Sequence, residues 1–278
     1  MTILVTGMHG SIGSRVATKL VEAGHRVRGS SRTPSSAPAG VEPVRLDLTE
    51  PRGAAEVLDG VETAFLYPVR GGSVDAFLEA ARKAEVQHVV LLSSPASYEV
   101  HEHDRIIGLV HRAVERAVQE SGLSHTVLYP SWLATNARRD WSEQIRTSGR
   151  VGIAHPDAQV NPIHIDDVAE VAADVLTRPT HRSRMLVLTG RESVSQRGMV
   201  DVLAEVRGAP IAIDELTREQ ALERRPEWMP EAVLEVLLDV TAAAVGVPAT
   251  VTNMVERVTG HPSRTFREWA IAHRDAFR

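Results

Sequence analysis

The chain has 278 residues, of which 43% are hydrophobic and 24% charged, with a net charge of −5 and no cysteine. This composition is that of a globular protein rather than a disordered one, and its apolar runs are too short to cross a membrane. Disulfides, thiol nucleophiles and Cys-ligated zinc are excluded, and without a basic run nucleic acid is not an expected partner. The opening MTILVTG carries no basic flank and no cleavage site, so no signal peptide is expected and a cytoplasmic location is.

In chain order, ILVTG reads as a short buried strand, and SIGSRVATKLVEAGH after it as a helix. Ile12, Val16, Leu20 and Val21 recur there at helical spacing, and Gly24 caps the end. RVRGSSR and VEPVRLDL are the second and third strands, and TPSSAPAG is the loop between them. GVETAFLYP and VQHVVLLSSP are strands four and five, with the helix SVDAFLEAARKAEV between them. DRIIGLVHRAVERAVQESG is a long helix capped by Gly122, and SHTVLYP is strand six. Strands alternating with helices predict an α/β fold of the Rossmann type, a doubly wound parallel sheet covered on both faces.

NPIHIDDVAEVAADVLTRP predicts a short strand, then a helix N-capped near Asp166, and RMLVLTG a further strand of the same sheet. From Ser193 onward the chain reads as mostly helical. Residues 1–130 with about 161–189 are expected to form the nucleotide-binding domain. Residues 131–160 with 190–278 are expected to form a smaller, mostly helical substrate domain over the strand C-termini, where ligands of such sheets bind.

Gly7, Gly10 and Gly13 stand at every third position between the first strand and the first helix. In such a loop the first glycine permits a tight turn, the second admits a pyrophosphate and the third lets helix and strand pack closely. The backbone of Met8, His9, Ser11 and Ile12 lies between them and faces the phosphates with the helix N-terminus. An NAD site places Asp or Glu at the end of the second strand to hold the ribose hydroxyl. Between Gly29 and Gly40 there is no carboxylate, and Ser30, Ser31 and Arg32 occupy the place. Arg32 suits a 2′-phosphate, which predicts NADPH/NADP; its other role is a solvated arginine beside a loop. Asp47 suits either the adenine amino group or the capping of its own loop. Leu48, Tyr67 and Tyr129 complete the expected cofactor-binding set, with Ser93 and His111 at the nicotinamide end.

These segments, with HVVLLSSP, HRAVERAVQESGLSHTVLYPSWLATN, NPIHIDDVAEVAADVL, LVLTGRESVS and the tail VTGHPSRTFREWAIAHRDAF, resemble the NmrA-like branch of the atypical short-chain dehydrogenase/reductases. The resemblance covers nearly the whole chain. It implies an NADP-binding Rossmann domain with a small C-terminal substrate domain. Members of that branch include quinone and ketone reductases, tailoring ketoreductases of antibiotic pathways, and NADP-binding regulators without turnover.

Typical short-chain reductases use a tyrosine as acid, with a lysine four residues later. Here the tyrosines are Tyr67, Tyr98 and Tyr129, followed four residues on by Gly71, Glu102 and Leu133, so the pair is missing. His111 takes the lysine's place by alignment, where it would donate to the nicotinamide ribose or to a water; otherwise it is a half-buried helix histidine. Ser94, ending strand five, would hold a substrate carbonyl or satisfy the strand end. Ser94 and His111 are therefore the expected catalytic residues, and Tyr98 is expected to be structural. HEHD at 101–104 resembles a metal cluster but reads as solvated loop, so no metal is expected. Trp132, Trp141, Trp228 and Met229 suit a pocket lining or a core.

The expected function is NADPH-dependent reduction of a small-molecule ketone or quinone-like substrate, a polycyclic aromatic polyketide being one candidate. With no tyrosine–lysine pair, the proton comes from a water held by His111 and Ser94 or from a hydroxyl on the substrate itself. The alternative is a non-catalytic NADP(H) sensor. No membrane partner is expected, and the chain is expected to be a monomer or homodimer.

Overall fold

A computed structural model of the chain describes residues 1–34, 36–69, 74–97 and 107–278, with Ile107 described for its backbone only. The first βαβ unit runs through β1 (Thr2–Thr6), α1 (Gly13–Glu22) and β2 (Arg26–Ser31). It continues through β3 (Val41–Arg45), α2 (Ala54–Leu58), β4 (Thr63–Leu66), α3 (Asp75–Lys83) and β5 (His88–Leu92). Next come α4 (Ile107–Glu120), β6 (His125–Pro130), α5 (Thr135–Ser148), β7 (Arg150–Ile153) and β8 (Gln159–Val160). α6 (Ile165–Thr177), β9 (Met185–Leu188), β10 (Val194–Ser195), α7 (Gln196–Arg207) and β11 (Ala212–Glu215) follow. The chain closes with α8 (Arg218–Glu223), α9 (Glu231–Ala243), α10 (Met254–Thr259) and α11 (Phe266–Ala272).

Seven strands form one parallel sheet in the order β3-β2-β1-β4-β5-β6-β9. The order reverses between β1 and β4, because the chain leaves β1 toward β3 and returns to the other side. The carboxyl ends of those two strands therefore open a crevice, the ligand position of a doubly wound sheet. Strands covered on both faces must be apolar throughout. Thr63–Leu66 and His88–Leu92 are buried at every position.

Two cores lie on the two faces of the sheet. One joins Val16, Ala17 and Leu20 of α1 to Val168, Ala172 and Val175 of α6, with Val255 and Val258 of α10 added. The other joins Val57 and Leu58 of α2, Phe77 of α3, and Val114 and Val118 of α4. A third core is built from distant stretches: Ala137, Trp141 and Ile145 of α5, Met199 and Leu203 of α7, and Phe266, Trp269 and Phe277 near the C-terminus.

Several elements differ from the sequence expectation. The strand expected at NPIH is reduced to a single bridge between Leu133 and Ile163, and the extended pair lies earlier, at β8. Pro162 removes a donor there, so a ladder cannot continue. The cap of α6 is His164, whose Nδ1 accepts from the Asp166 N–H at 3.1 Å, two residues before the expected position. β3 ends at Arg45, and the following Leu46–Leu48 turns inward without pairing as strand. Helix α5 had no strong signal, because its exposed face carries Arg138, Arg139, Glu143 and Gln144 and only Ala137, Trp141 and Ile145 point inward.

Candidate functional site

β1 ends at Thr6, and Gly7 turns the chain with φ +67°, a conformation that a side chain rarely tolerates. The Gly10 N–H donates to the Gly7 carbonyl at 2.8 Å and closes the turn. A Cβ on Gly13 would lie 2.3 Å from the Gly7 oxygen, so the start of α1 packs on the turn only as glycine. A Cβ on Gly10 would meet that oxygen at 3.1 Å, a tight contact rather than a forbidden one. Gly7, His9, Gly10 and Ser11 are exposed at the crevice, whereas Met8 and Ile12 are buried. The Met8 side chain enters the core against Gly29, and its N–H donates to the Ser30 carbonyl at 3.2 Å. Any ligand contact from Met8 is thus a backbone contact.

The N-terminus of α1 is open electrostatically. Its N-cap is Ile12, no side chain caps it, and its first turn holds no acid. The orphan N–H groups and the positive end of the helix dipole are left for an anion. Arg15 braces this loop, donating to the Ser11 carbonyl at 2.8 Å and to Asp166 of α6 at 2.6 Å.

At the end of β2, Arg32 is exposed. Ser31 beside it has a buried hydroxyl with no hydrogen-bond partner among the described residues. A buried hydroxyl without a partner is costly, and a bound oxyanion would satisfy it. Asp47 caps its own turn: Oδ1 accepts from the Thr49 N–H at 2.9 Å and from the Thr49 hydroxyl at 2.7 Å. Those bonds, with smaller effects from the Arg32 and Arg45 charges, hold its carboxyl below the usual range. Leu48 is buried beneath it, 6% exposed. Tyr67, past β4, is half exposed and stands beside Gly7, with its N–H on the Thr6 hydroxyl at 3.0 Å. The glycine turn, the open helix end, the partnerless Ser31 hydroxyl and Arg32 fit a dinucleotide that carries an additional phosphate.

At the end of β5, Ser93 is buried and Ser94 half-buried. The Ser94 hydroxyl accepts from the Ala96 N–H at 3.3 Å in the turn Pro95–Ser97. His111 of α4 places Nδ1 3.2 Å from the Ser93 hydroxyl oxygen. Ser93 also donates to Glu115, one helical turn after His111. Tyr129 of β6 is 1% exposed, and its hydroxyl donates to Glu115 at 3.0 Å. Glu115 was not among the residues expected at the site. Its place four residues after His111 puts both on one helix face, but that spacing alone does not single it out from the other charges of α4.

Tyr98 and the HEHD segment lie outside the described residues. Among the described residues no group of three or more His, Asp or Glu side chains is placed to hold a metal. No helix among them is long and apolar enough to cross a membrane. Trp141 is in the third core with Trp132 packed 6.1 Å away, and Met229 is buried. Trp228 is exposed, with the Arg139 guanidinium 5.1 Å above its ring.

A family model described as NAD(P)H-binding matches residues 7–179. The chain belongs to this NAD(P)H-binding family, in its NmrA-like atypical short-chain dehydrogenase/reductase branch, and is an NAD(P)H-dependent oxidoreductase. It is 33% identical to a (4-alkanoyl-5-oxo-2,5-dihydrofuran-3-yl)methyl phosphate reductase of Streptomyces griseus, over 99% of both chains. It is 31% identical to an NAD(P)H azoreductase of Xenophilus azovorans, again over 99% of both. The fold matches an NADPH-dependent quinone oxidoreductase of Escherichia coli complexed with NADPH, with a TM-score of 0.83 at 20% identity, covering 97% of this chain and 98% of the other.

Proposed function

We propose that the protein is an NADPH-dependent reductase of a conjugated ketone or quinone-like small molecule. The observation that carries this reading is the placement of two groups on one edge of the sheet. The glycine turn and Arg32 lie at the ends of β1 and β2, and Ser93, Ser94 and His111 lie at the end of β5 and on α4. A dinucleotide seated on the first group runs along that edge toward the second.

The roles follow from the chemistry of the residues. The N–H groups of Ser11 and Ile12, at the open end of α1, hold the pyrophosphate. Arg32 and Ser31 hold the 2′-phosphate, which selects NADPH over NADH. Asp47, beside Arg32, offers its second carboxylate oxygen to the adenine amino group, and Tyr67 flanks the glycine turn. The reduced nicotinamide, when bound, supplies the hydride. Ser94 orients the substrate oxygen. Residues 131–160 and 190–278 form the substrate side and exclude water from the reacting atoms.

The relatives support the substrate class by their names. They act on an oxo-dihydrofuran, an azo compound and, in the structural relative, a quinone. Each name denotes an electron-poor π system. Aromatic ketones and quinones with a neighbouring hydroxyl are the preferred candidates, because an internal hydrogen bond already polarises the carbonyl. A polycyclic aromatic polyketide belongs to this group. The test is NADPH oxidation measured against panels of quinones, enones and aryl ketones, with and without methylation of the neighbouring hydroxyl. Turnover of quinones or hydroxyaryl ketones is expected. NADPH binding without oxidation by any member of the panels would overturn the proposal.

A further inference from the structure

Reduction of a carbonyl needs a proton as well as a hydride, and no tyrosine–lysine pair is present to give it. One connected set of polar groups at the carboxyl edge of the sheet has no part in holding the cofactor phosphates. His111 and Glu115 share a face of α4, and that face meets the ends of β5 and β6. The Glu115 carboxylate accepts from the Ser93 hydroxyl through Oε1 and from the Tyr129 hydroxyl through Oε2, the latter at 3.0 Å. The Ser93 hydroxyl oxygen is in turn 3.2 Å from His111 Nδ1. Ser93 and Tyr129 are 4% and 1% exposed, so water does not compete for these bonds.

The proton positions follow from what each group can do. An ionised carboxylate only accepts, so both hydroxyl protons point at Glu115. Ser93 then has lone pairs left for its other partner, and His111 Nδ1 must be the donor. The neutral ring is thereby fixed as the Nδ1–H tautomer, and Nε2 is the atom that gains and loses a proton. The carboxylate, acting through Ser93, favours the charged ring. On the same helix, the Arg112 guanidinium donates to the carbonyls of Ala96 and Ser97 at 3.3 Å each.

We propose that Glu115 is a positioning residue which, through Ser93, orients His111 as the general acid of the reduction, while Tyr129 fixes the second carboxylate oxygen. The inference rests on the reductase function proposed above. As hydride forms the new C–H bond at the carbonyl carbon, the π pair moves to oxygen. The His111 Nε2–H bond breaks, its proton forms the O–H bond, and its electron pair stays on Nε2. The cofactor loses two electrons and the carbonyl gains them. The neutral ring recovers its proton from water.

Two experiments test this. The first needs no turnover: nitrogen NMR of the cofactor-free protein, with the His111 signals assigned by their loss in His111→Asn. A neutral Nδ1–H tautomer is expected in the wild type. In Glu115→Gln and in Ser93→Ala the ring should titrate about one pH unit lower, because the stabilising negative charge or its link is gone. An Nε2–H tautomer, or an unchanged titration in both folded variants, would overturn the proposal. The second experiment is kinetic, with NADPH and a quinone. Glu115→Gln should lower kcat by about a hundredfold with NADPH affinity unchanged, and the loss of rate on the alkaline side should begin at lower pH. Ser93→Ala combined with Glu115→Gln should be no worse than either alone, since both cut one chain. Unchanged kcat in both single variants would show that the substrate or a water supplies the proton. A wild type that turns over nothing would refute the reductase function, while the NMR result would still decide the wiring.

Discussion

Arg32 and the three glycines carry the cofactor site, and each makes a separable prediction. Arg32→Ala should weaken NADPH by about ten- to a hundredfold, the loss of one charge-assisted contact, and leave NADH nearly unchanged. Calorimetric titration with both cofactors checks this, and equal weakening of the two would refute the phosphate assignment. Gly10 and Gly13 should behave differently although they belong to one motif. Gly10 is exposed, and a Cβ there would make only a tight contact with the Gly7 oxygen, at 3.1 Å. Gly10→Val should therefore stay folded and bind neither cofactor. At Gly13 the contact would be 2.3 Å and with backbone, which cannot move aside. Gly13→Ala should cost about 1–3 kcal/mol of stability, read by chemical denaturation without any ligand. The motif's spacing does not distinguish these two glycines; the direction of the missing Cβ does.

At the scale of elements, α6 begins on an unusual cap. His164 is 6% exposed and accepts the Asp166 N–H through Nδ1, so the cap works only while the ring is neutral. Burial pushes its pKa down to about 4, against an opposing pull from Asp166. His88, buried in the sheet between the Ser124 and Thr126 hydroxyls, is also pushed down to about 4 by burial. For both, the folded pKa lies below the ordinary value of 6.5. Their contribution to stability is thus complete above pH 6.5 and is lost as pH falls toward 4. Asparagine caps helices well and does not titrate. His164→Asn should therefore keep α6 and reduce the fall in stability over that pH range, with the share of His88 remaining. Denaturation midpoints measured across the range check it, and an unchanged pH slope would show that His164 is not the titrating group. The sequence showed that a helix began in HIDD, but the identity of the cap depended on which side chain the fold buried.

At the scale of the whole molecule, a line of charges ties the chain's end to the cofactor turn. Arg264, just before α11, pairs with the fully buried Asp167 of α6 and with Glu170, the latter at 3.0 Å. Glu170 also receives Lys19 of α1 at 2.7 Å, and Arg15 of α1 holds Asp166 and the Ser11 carbonyl. Burial raises the Glu170 carboxyl, but hydrogen bonds and charge from Arg264 and Lys19 outweigh it and hold the pKa at about 2. Asp167 goes the other way, because burial outweighs the bonds from Arg264 and raises it. Removing the guanidinium strands a buried carboxylate. Arg264→Ala should cost about 3–5 kcal/mol near neutral pH, and less in mild acid, where Asp167 takes up a proton. Thermal melts at two pH values would show the difference, and a uniform loss at both would mean that packing alone was removed.

What the sequence determined by itself was local. The strand runs, the glycine turn and the absence of a carboxylate after β2 need only neighbours within one βαβ unit, so periodicity and spacing carried the fold class and the cofactor face. The tertiary structure decided what depends on distant residues meeting. The third core draws on α5, α7 and the C-terminal helix, whose apolar residues are too few in each stretch to announce a common interior. Glu115 reads in sequence as one more charge on a solvated helix, a few residues from several others. It becomes a partner of Ser93 and Tyr129 only because β5 and β6 lie side by side beneath α4. A carboxylate's role is set by the donors that surround it, and here the two donors come from the ends of two strands while the carboxylate comes from a helix.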